Sequence, residues 1–117
     1  QAARDQVAPY VRAGAARTFE GGEVFPGVTA MPFPGHTPGH TGYLIASGAE
    51  SLLIWGDIIH VPEIQIPRPE VTMAFDIDPT GAQATRRRVF DMVATDGLAW
   101  AGMHMHFPGF ARLVRRD

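Results

Sequence analysis

The stretch from Met31 to Asp57, MPFPGHTPGHTGYLIASGAESLLIWGD, constrains this chain more than any other. It opens on a loop in which Pro32, Pro34, Gly35, Pro38 and Gly39 surround His36 and His40. Proline locks φ and glycine admits φ values closed to other residues, so such a loop holds its side chains in set directions. Two apolar runs follow, Thr41–Ser47 and Ser51–Trp55, and the second ends at Gly56-Asp57. The three residues between them suit a β-hairpin. Leu52–Trp55 is unbroken in its apolarity, which predicts a strand covered on both faces, with helices on at least one side. A carboxylate at the end of such a strand reaches the sheet edge where the histidine loop also lies, which is how a rigid scaffold presents a site.

The 117 residues suffice for one small domain, and at 45% apolar content the chain should fold rather than stay disordered. Twelve acidic and ten basic side chains leave a net charge of −2, with Arg86-Arg87-Arg88 the longest basic run, so nucleic acid is not the expected partner. Without cysteine there is neither disulfide nor thiolate, and any metal must sit on histidine and carboxylate. No apolar run is long enough to span a membrane. No signal peptide is visible, which favours a cytoplasmic location, while the opening on Gln1 rather than Met points to processing or truncation.

Elsewhere the pattern is uneven. Val7, Tyr10 and Val11 predict a helix over residues 3–13 that is weakened by Pro9 and stopped by Gly14. Gly21-Gly22 marks a turn before short strands at Val24-Phe25 and Val28–Met31. Pro62, Pro67 and Pro69 exclude a long element between residues 56 and 78, and Val71–Phe75 reads as a short strand or a turn of helix. Asp78-Pro79 is a helix start, and Ala82, Thr85, Arg86, Val89, Phe90 and Val93 form its buried stripe as far as Thr95. Within that stripe Arg86 is expected to keep its head in water or to find a carboxylate. Leu98–Ala101 and Ala111–Val114 are the last strand candidates.

The polar candidates are His36, His40, Asp57, His60, His104 and His106; all but His60, which sits just inside the connection after Asp57, lie at or next to a predicted strand end or in a Gly/Pro loop. Any one histidine is more simply explained as structural or solvated, and Asp57 alone reads as a turn residue or cap. Asp76 and Asp78 are further carboxylates able to meet a cation, although capping accounts for Asp78. Imidazole and carboxylate together are the ligands that zinc and similar ions take, and they can converge from distant strands. Ser47 and Ser51 have no neighbouring base, so a serine nucleophile is disfavoured.

The ordered set P-G-H-T-P-G-H-T, then G-D-I-I-H-V, R-P-E-V, F-D-I-D-P, the T-R-R-R helix and H-x-H-F-P-G resembles the C-terminal half of a metallo-β-lactamase-fold hydrolase. It is most similar to the branch of methyl parathion hydrolase and related lactonases, over about Tyr10 to Val114. The resemblance implies an α/β fold, half of an αββα sandwich whose mixed sheet carries flanking helices. It implies two divalent metal ions, zinc foremost, where the halves meet. It puts metal ligands at His40, Asp57 and His104, with Asp57 bridging both ions as the catalytic carboxylate. His36 would stand behind them as a loop brace. His60, Ile64, His106 and Phe107 would line the substrate pocket. The implied activity is hydrolysis of a small-molecule lactone or ester by hydroxide held between the ions. A phosphotriester or β-lactam substrate, a metal-free binding or assembly module, and an iron-carrying redox member are the alternatives.

The family's upstream H-x-H-x-D-H motif does not occur in these residues. Residues 1–117 are therefore expected to be a C-terminal half-domain that binds metal weakly or not at all and is inactive alone. The sheet face that the N-terminal half would cover should then bind that half or drive self-association.

Overall fold

A computed structural model describes residues 2–115. Helix α1 (Ala2–Arg12) leads into strands β1 (Gly22–Phe25), β2 (Val28–Pro32), β3 (Thr41–Ser47) and β4 (Glu50–Ile54). A short helix α2 (Pro62–Gln65), the long helix α3 (Pro79–Thr95) and strands β5 (Ala99–Ala101) and β6 (Phe110–Arg112) complete the chain. The strands form a single six-stranded sheet in sequence order. All neighbours are antiparallel except β4 and β5, which run parallel. A parallel pair needs a crossover, and the 55–98 segment with α3 supplies it.

The hairpin between β3 and β4 closes over Gly48-Ala49, because Ser47 pairs with Glu50, one residue tighter than the sequence predicts. Asp78 caps α3 by accepting the Gly81 N–H at 2.9 Å, and Pro79 takes the first turn. The predicted stripe of Ala82, Thr85, Arg86, Val89, Phe90 and Val93 is the set this helix buries. It packs on Leu53, Trp55 and Trp100, and the two indoles stack with centroids 3.6 Å apart. Because successive strand residues face opposite ways, Leu52 and Ile54 point to the other side, where they are only half-buried. The expectation that β4 is covered on both faces is thus corrected: helix α3 covers one face alone. On the other face Ala30, Tyr43, Ile54, Ala101 and Phe110 lie side by side across the paired strands, and Phe110 is exposed.

Pro9 sits inside α1 without ending it, and Gly14 at φ +66° closes the helix with Ala15 N–H bonded to the Tyr10 carbonyl. No residue of α1 is buried. Val71–Phe75 forms no strand and no helix.

Arg86 departs from expectation in an informative way. Its side chain is buried, at 1% exposure, and among the described residues its head is held by carbonyls rather than by a salt bridge. Nε donates to the Ile58 carbonyl at 2.7 Å, and Nη1 donates to those of Pro69 and Val71 at 2.8 and 2.7 Å. Burial lowers its pKa and the nearby Asp76 charge opposes that. The proline-rich connection cannot satisfy its own carbonyls with helix or sheet, and a planar fork of donors does it instead. Gln65, fully buried, adds to this: its Oε1 accepts the N–H groups of His60 and Val61 and its Nε2 donates to the Val71 carbonyl. Replacing Arg86 by Met should therefore destabilise the chain by about 2–5 kcal/mol, since it strands several buried carbonyls. Arg87→Met, at an exposed position, should stay within about 0.5 kcal/mol. Denaturant midpoints of the two variants check this.

Candidate metal centre

The loop between β2 and β3 closes on itself through Phe33 N–H to the His40 carbonyl at 2.8 Å and His40 N–H to the Thr37 carbonyl at 3.2 Å. His40 then spends both ring nitrogens on backbone. Its Nδ1 lies 2.9 Å from the Phe33 carbonyl, and its Nε2 accepts the Asp57 N–H at 2.9 Å. This clamp ties the histidine loop to the end of β4. It needs Gly56 twice over, because the residue sits at φ +66° and a Cβ there would come 2.7 Å from His40 Nε2.

Asp57, released from β4 by that turn, points its carboxylate among three imidazoles. Oδ1 is 3.0 Å from His104 Nε2 and 3.9 Å from His60 Nε2, while Oδ2 is 3.9 Å from His36 Nε2. His104 arrives from the turn after β5 with φ +64°, an unusual value for a residue with a side chain. The Gly56 carbonyl, which accepts the Met103 N–H at 3.3 Å, ties that turn down. His60 lies between His36 and His104, with ring centroids 4.8 Å from each, and Phe75 packs edge-on against it. Burial lowers the His60 pKa first, and repulsion from His36 and His104 lowers it further. The ring is therefore neutral near pH 7 and has a lone pair to offer.

Behind His36 stands Asp76, whose side chain is almost fully enclosed. One oxygen lies 3.0 Å from His36 Nδ1 and the other accepts the Met73 N–H at 2.9 Å. Burial alone would raise the Asp76 pKa, but the Met73 N–H, the His36 hydrogen bond and the charges of His36 and Arg86 outweigh it and hold it below the usual carboxylate range.

Among the described residues, two groups have ligand atoms within 4.8 Å of one another: Asp57, His60 and His104, and His36, His60 and Asp76. Ligands about 2 Å from a tetrahedral ion lie about 3.4 Å apart. The spacings around Asp57 bracket that value, and imidazole with carboxylate is a donor set for zinc and related divalent ions. These residues fit a metal.

The structure brings Asp57 and His104, both implied as ligands by the resemblance, within 3.0 Å of each other. The two loop histidines do not take the positions expected of them: His40, expected as a ligand, is turned to the backbone, and His36, expected as the brace, faces Asp57. The reason is local. The close approach of Gly56 gives His40 Nε2 a backbone partner, whereas only Asp76, 40 residues away in sequence, meets His36 Nδ1. Of the expected pocket residues, His60 joins the cluster, and His106 pairs with Glu63 at 2.7 Å on the surface. Ile64 and Phe107 are exposed, Phe107 completely so. Sequence reasoning did not find the roles of Asp76 and Gln65. The spacing between Asp76 and the capping Asp78-Pro79 was the one available signal for Asp76, and nothing marked Gln65.

The sequence model of the metallo-beta-lactamase superfamily matches residues 6–98. The chain belongs to that superfamily. Its fold is that of a hydrolase termed AbOPH in the beta-lactamase superfamily, with 34% identity and a TM-score of 0.90 over 97% of this chain and 39% of the other. AidC, a dizinc quorum-quenching lactonase, shares the fold at 24% identity and a TM-score of 0.83, over 97% of this chain and 41% of its own. An N-acyl homoserine lactone hydrolase solved with N-hexanoyl-L-homoserine at its catalytic metal centre is 26% identical, with a TM-score of 0.58, over 78% of this chain and 39% of its own. No curated protein matches significantly. The chain thus spans about two-fifths of the length of these superfamily structures. Among the described residues no helix is long and apolar enough to cross a membrane.

If His40 is a clamp, its loss is felt without metal. In metal-free protein, His40→Ala should cost about 1–3 kcal/mol by leaving the Phe33 carbonyl and Asp57 N–H unpaired. Thermal unfolding of this variant and the parent, both in chelator, measures the loss.

Proposed function

We propose that this chain is the C-terminal half of a two-metal hydrolase acting on small lactones or esters, and that Asp57 is the carboxylate shared by its two ions. The observation that carries this is the division of labour at Asp57: Oδ1 faces His104 and His60, and Oδ2 faces His36. A carboxylate flanked by imidazoles on both sides suits two cations better than one. On this reading Asp57, His36 and His104 would help to hold the ions, with His36 on one side of the carboxylate and His104 on the other, while His40 holds the loop. When bound, divalent ions supply Lewis acidity toward a carbonyl or phosphoryl oxygen and lower the pKa of water.

The chain's own residues do the rest. Asp57 sets the separation of the two sides, and the His40 clamp keeps it aimed. Neutral His60, held through its backbone N–H by Gln65, presents Nε2 toward the same space, where it would meet the substrate's polar end. Exposed Ile64, Phe75, Met103 and Phe107 offer apolar surface for an acyl or aryl portion. The superfamily relatives that are themselves hydrolases, one of them an N-acyl homoserine lactone hydrolase, support a lactone or ester over a β-lactam. Three imidazoles converging on one carboxylate disfavour a metal-free binding module, which would have no use for them.

The remaining ligands would come from a preceding half carrying H-x-H-x-D-H, packed on the open sheet face around Tyr43, Ile54 and Phe110. Expressed alone, the chain should elute well above its 12.7 kDa mass, since an uncovered apolar face promotes association. Elution as a monomer would sink the covering role of that face. In full-length protein with zinc restored, Asp57→Ala should lower kcat/KM toward an N-acyl homoserine lactone or an aryl ester by at least about 10²-fold, the scale of losing one electrostatic stabiliser. Full turnover by that variant would remove the bridging role.

A further inference from the structure

We propose that Asp76 is a positioning residue that selects which nitrogen of His36 faces the metal centre. This rests on the reading of His36 as a ligand. An imidazole has two nitrogens, and a neutral ring can present a lone pair from only one of them. At His36 the Asp76 carboxylate, an acceptor with no proton to give, sits 3.0 Å from Nδ1. Nδ1 must therefore carry the hydrogen, and Nε2, on the Asp57 side, is left bare.

The carboxylate is itself fixed. Its second oxygen accepts the Met73 N–H, and its side chain is 1% exposed, so water does not compete. Register between the two segments comes from the backbone: Ile77 N–H donates to the His36 carbonyl at 3.1 Å, and Asp78 N–H donates to the Gly35 carbonyl at 2.9 Å. Thr85 of α3 donates to the Pro34 carbonyl at 2.7 Å. These bonds tie the start of α3, the segment before it and the histidine loop together around Asp76 and His36. The Phe75 ring lies edge-on to both His36 and His60 and shields the pair.

His40 shows what the arrangement accomplishes. It also gives its Nδ1 hydrogen to an oxygen, the Phe33 carbonyl, but its Nε2 is consumed by the Asp57 N–H. A carboxylate behind an imidazole orients the ring and raises the basicity of the far nitrogen. Asp76 would do both for His36.

Two measurements on the full-length protein test this. In the metal-free form, long-range proton–nitrogen correlation spectra report which ring nitrogen carries the hydrogen. His36 should be protonated on Nδ1, and Asp76→Ala should shift it toward the other tautomer or a mixture while His40 keeps its own, which shows the loop intact. An unchanged His36 tautomer in Asp76→Ala overturns the proposal. In the zinc form, competition with a chromophoric chelator should show Asp76→Asn weakening affinity about 10–100-fold, but less than about 2-fold when His36→Ala is already present. Equal losses in both backgrounds would mean that Asp76 acts by some route other than His36, and would overturn it. If His36→Ala weakens zinc binding and Asp76→Asn does not, the positioning role fails and the ligand reading stands. If His36→Ala leaves affinity unchanged, the ligand reading fails, and the metal-positioning role of Asp76 fails with it.

Discussion

The hydrogen bond from Asp57 N–H to His40 Nε2 is the contact on which the geometry of this edge depends. It joins two segments that would otherwise be independent: the Pro/Gly loop after β2 and the turn after β4. Three of the four side chains that face the candidate centre ride on one of the two. His36 rides on the loop, and Asp57 and His60 ride on the turn. The Met103–His104 turn is tied to the Gly56 carbonyl beside them. The clamp works because both ends rest on rigid elements, β3 pairing with β4 on one side and the Trp55–Trp100 stack on the other.

The connection from Ile58 to Val71 is stabilised differently. Its prolines deny it regular structure, so its carbonyls would be left unpaired in the interior. Arg86 and Gln65 satisfy them, and in doing so fix the backbone that carries His60. The charge on Arg86 is tolerable at such depth because it meets three carbonyl dipoles and lies near the Asp76 carboxylate. Helix α3 thereby has two duties. Its apolar residues cover one sheet face, and its one buried cation organises the segment above the site.

The two faces of the sheet are unequal for a related reason. Helix α3 is the only long helix packed on the core among the described residues, and it can cover only one side. On the other side Tyr43, Ile54 and Ala101 are only half-buried and Phe110 is exposed, and α1 buries none of its residues. Superfamily structures more than twice as long as this chain share its fold, and the unequal faces fit a sheet that belongs to a larger sandwich.

Much of this was legible in the sequence. The cap at Asp78-Pro79, the stripe on α3 and the hairpin after the loop follow from local pattern, because backbone propensity and burial period act over a few residues; that Asp57 and His104 share a site was implied only by the family resemblance. The sequence by itself also determined that a metal here must use histidine and carboxylate, since it offers no thiol. Only the tertiary structure decided which loop histidine faces Asp57, how Arg86 survives burial, and that Asp76 stands behind His36. His36 and His40 occupy equivalent places in a repeated P-G-H. What separates them is the partner that each ring nitrogen meets: Gly56-Asp57 for one, and Asp76 for the other. Those partners lie 17 and 40 residues away along the chain, and contacts at that range exist only once the sheet has formed and the chain has folded back across its edge.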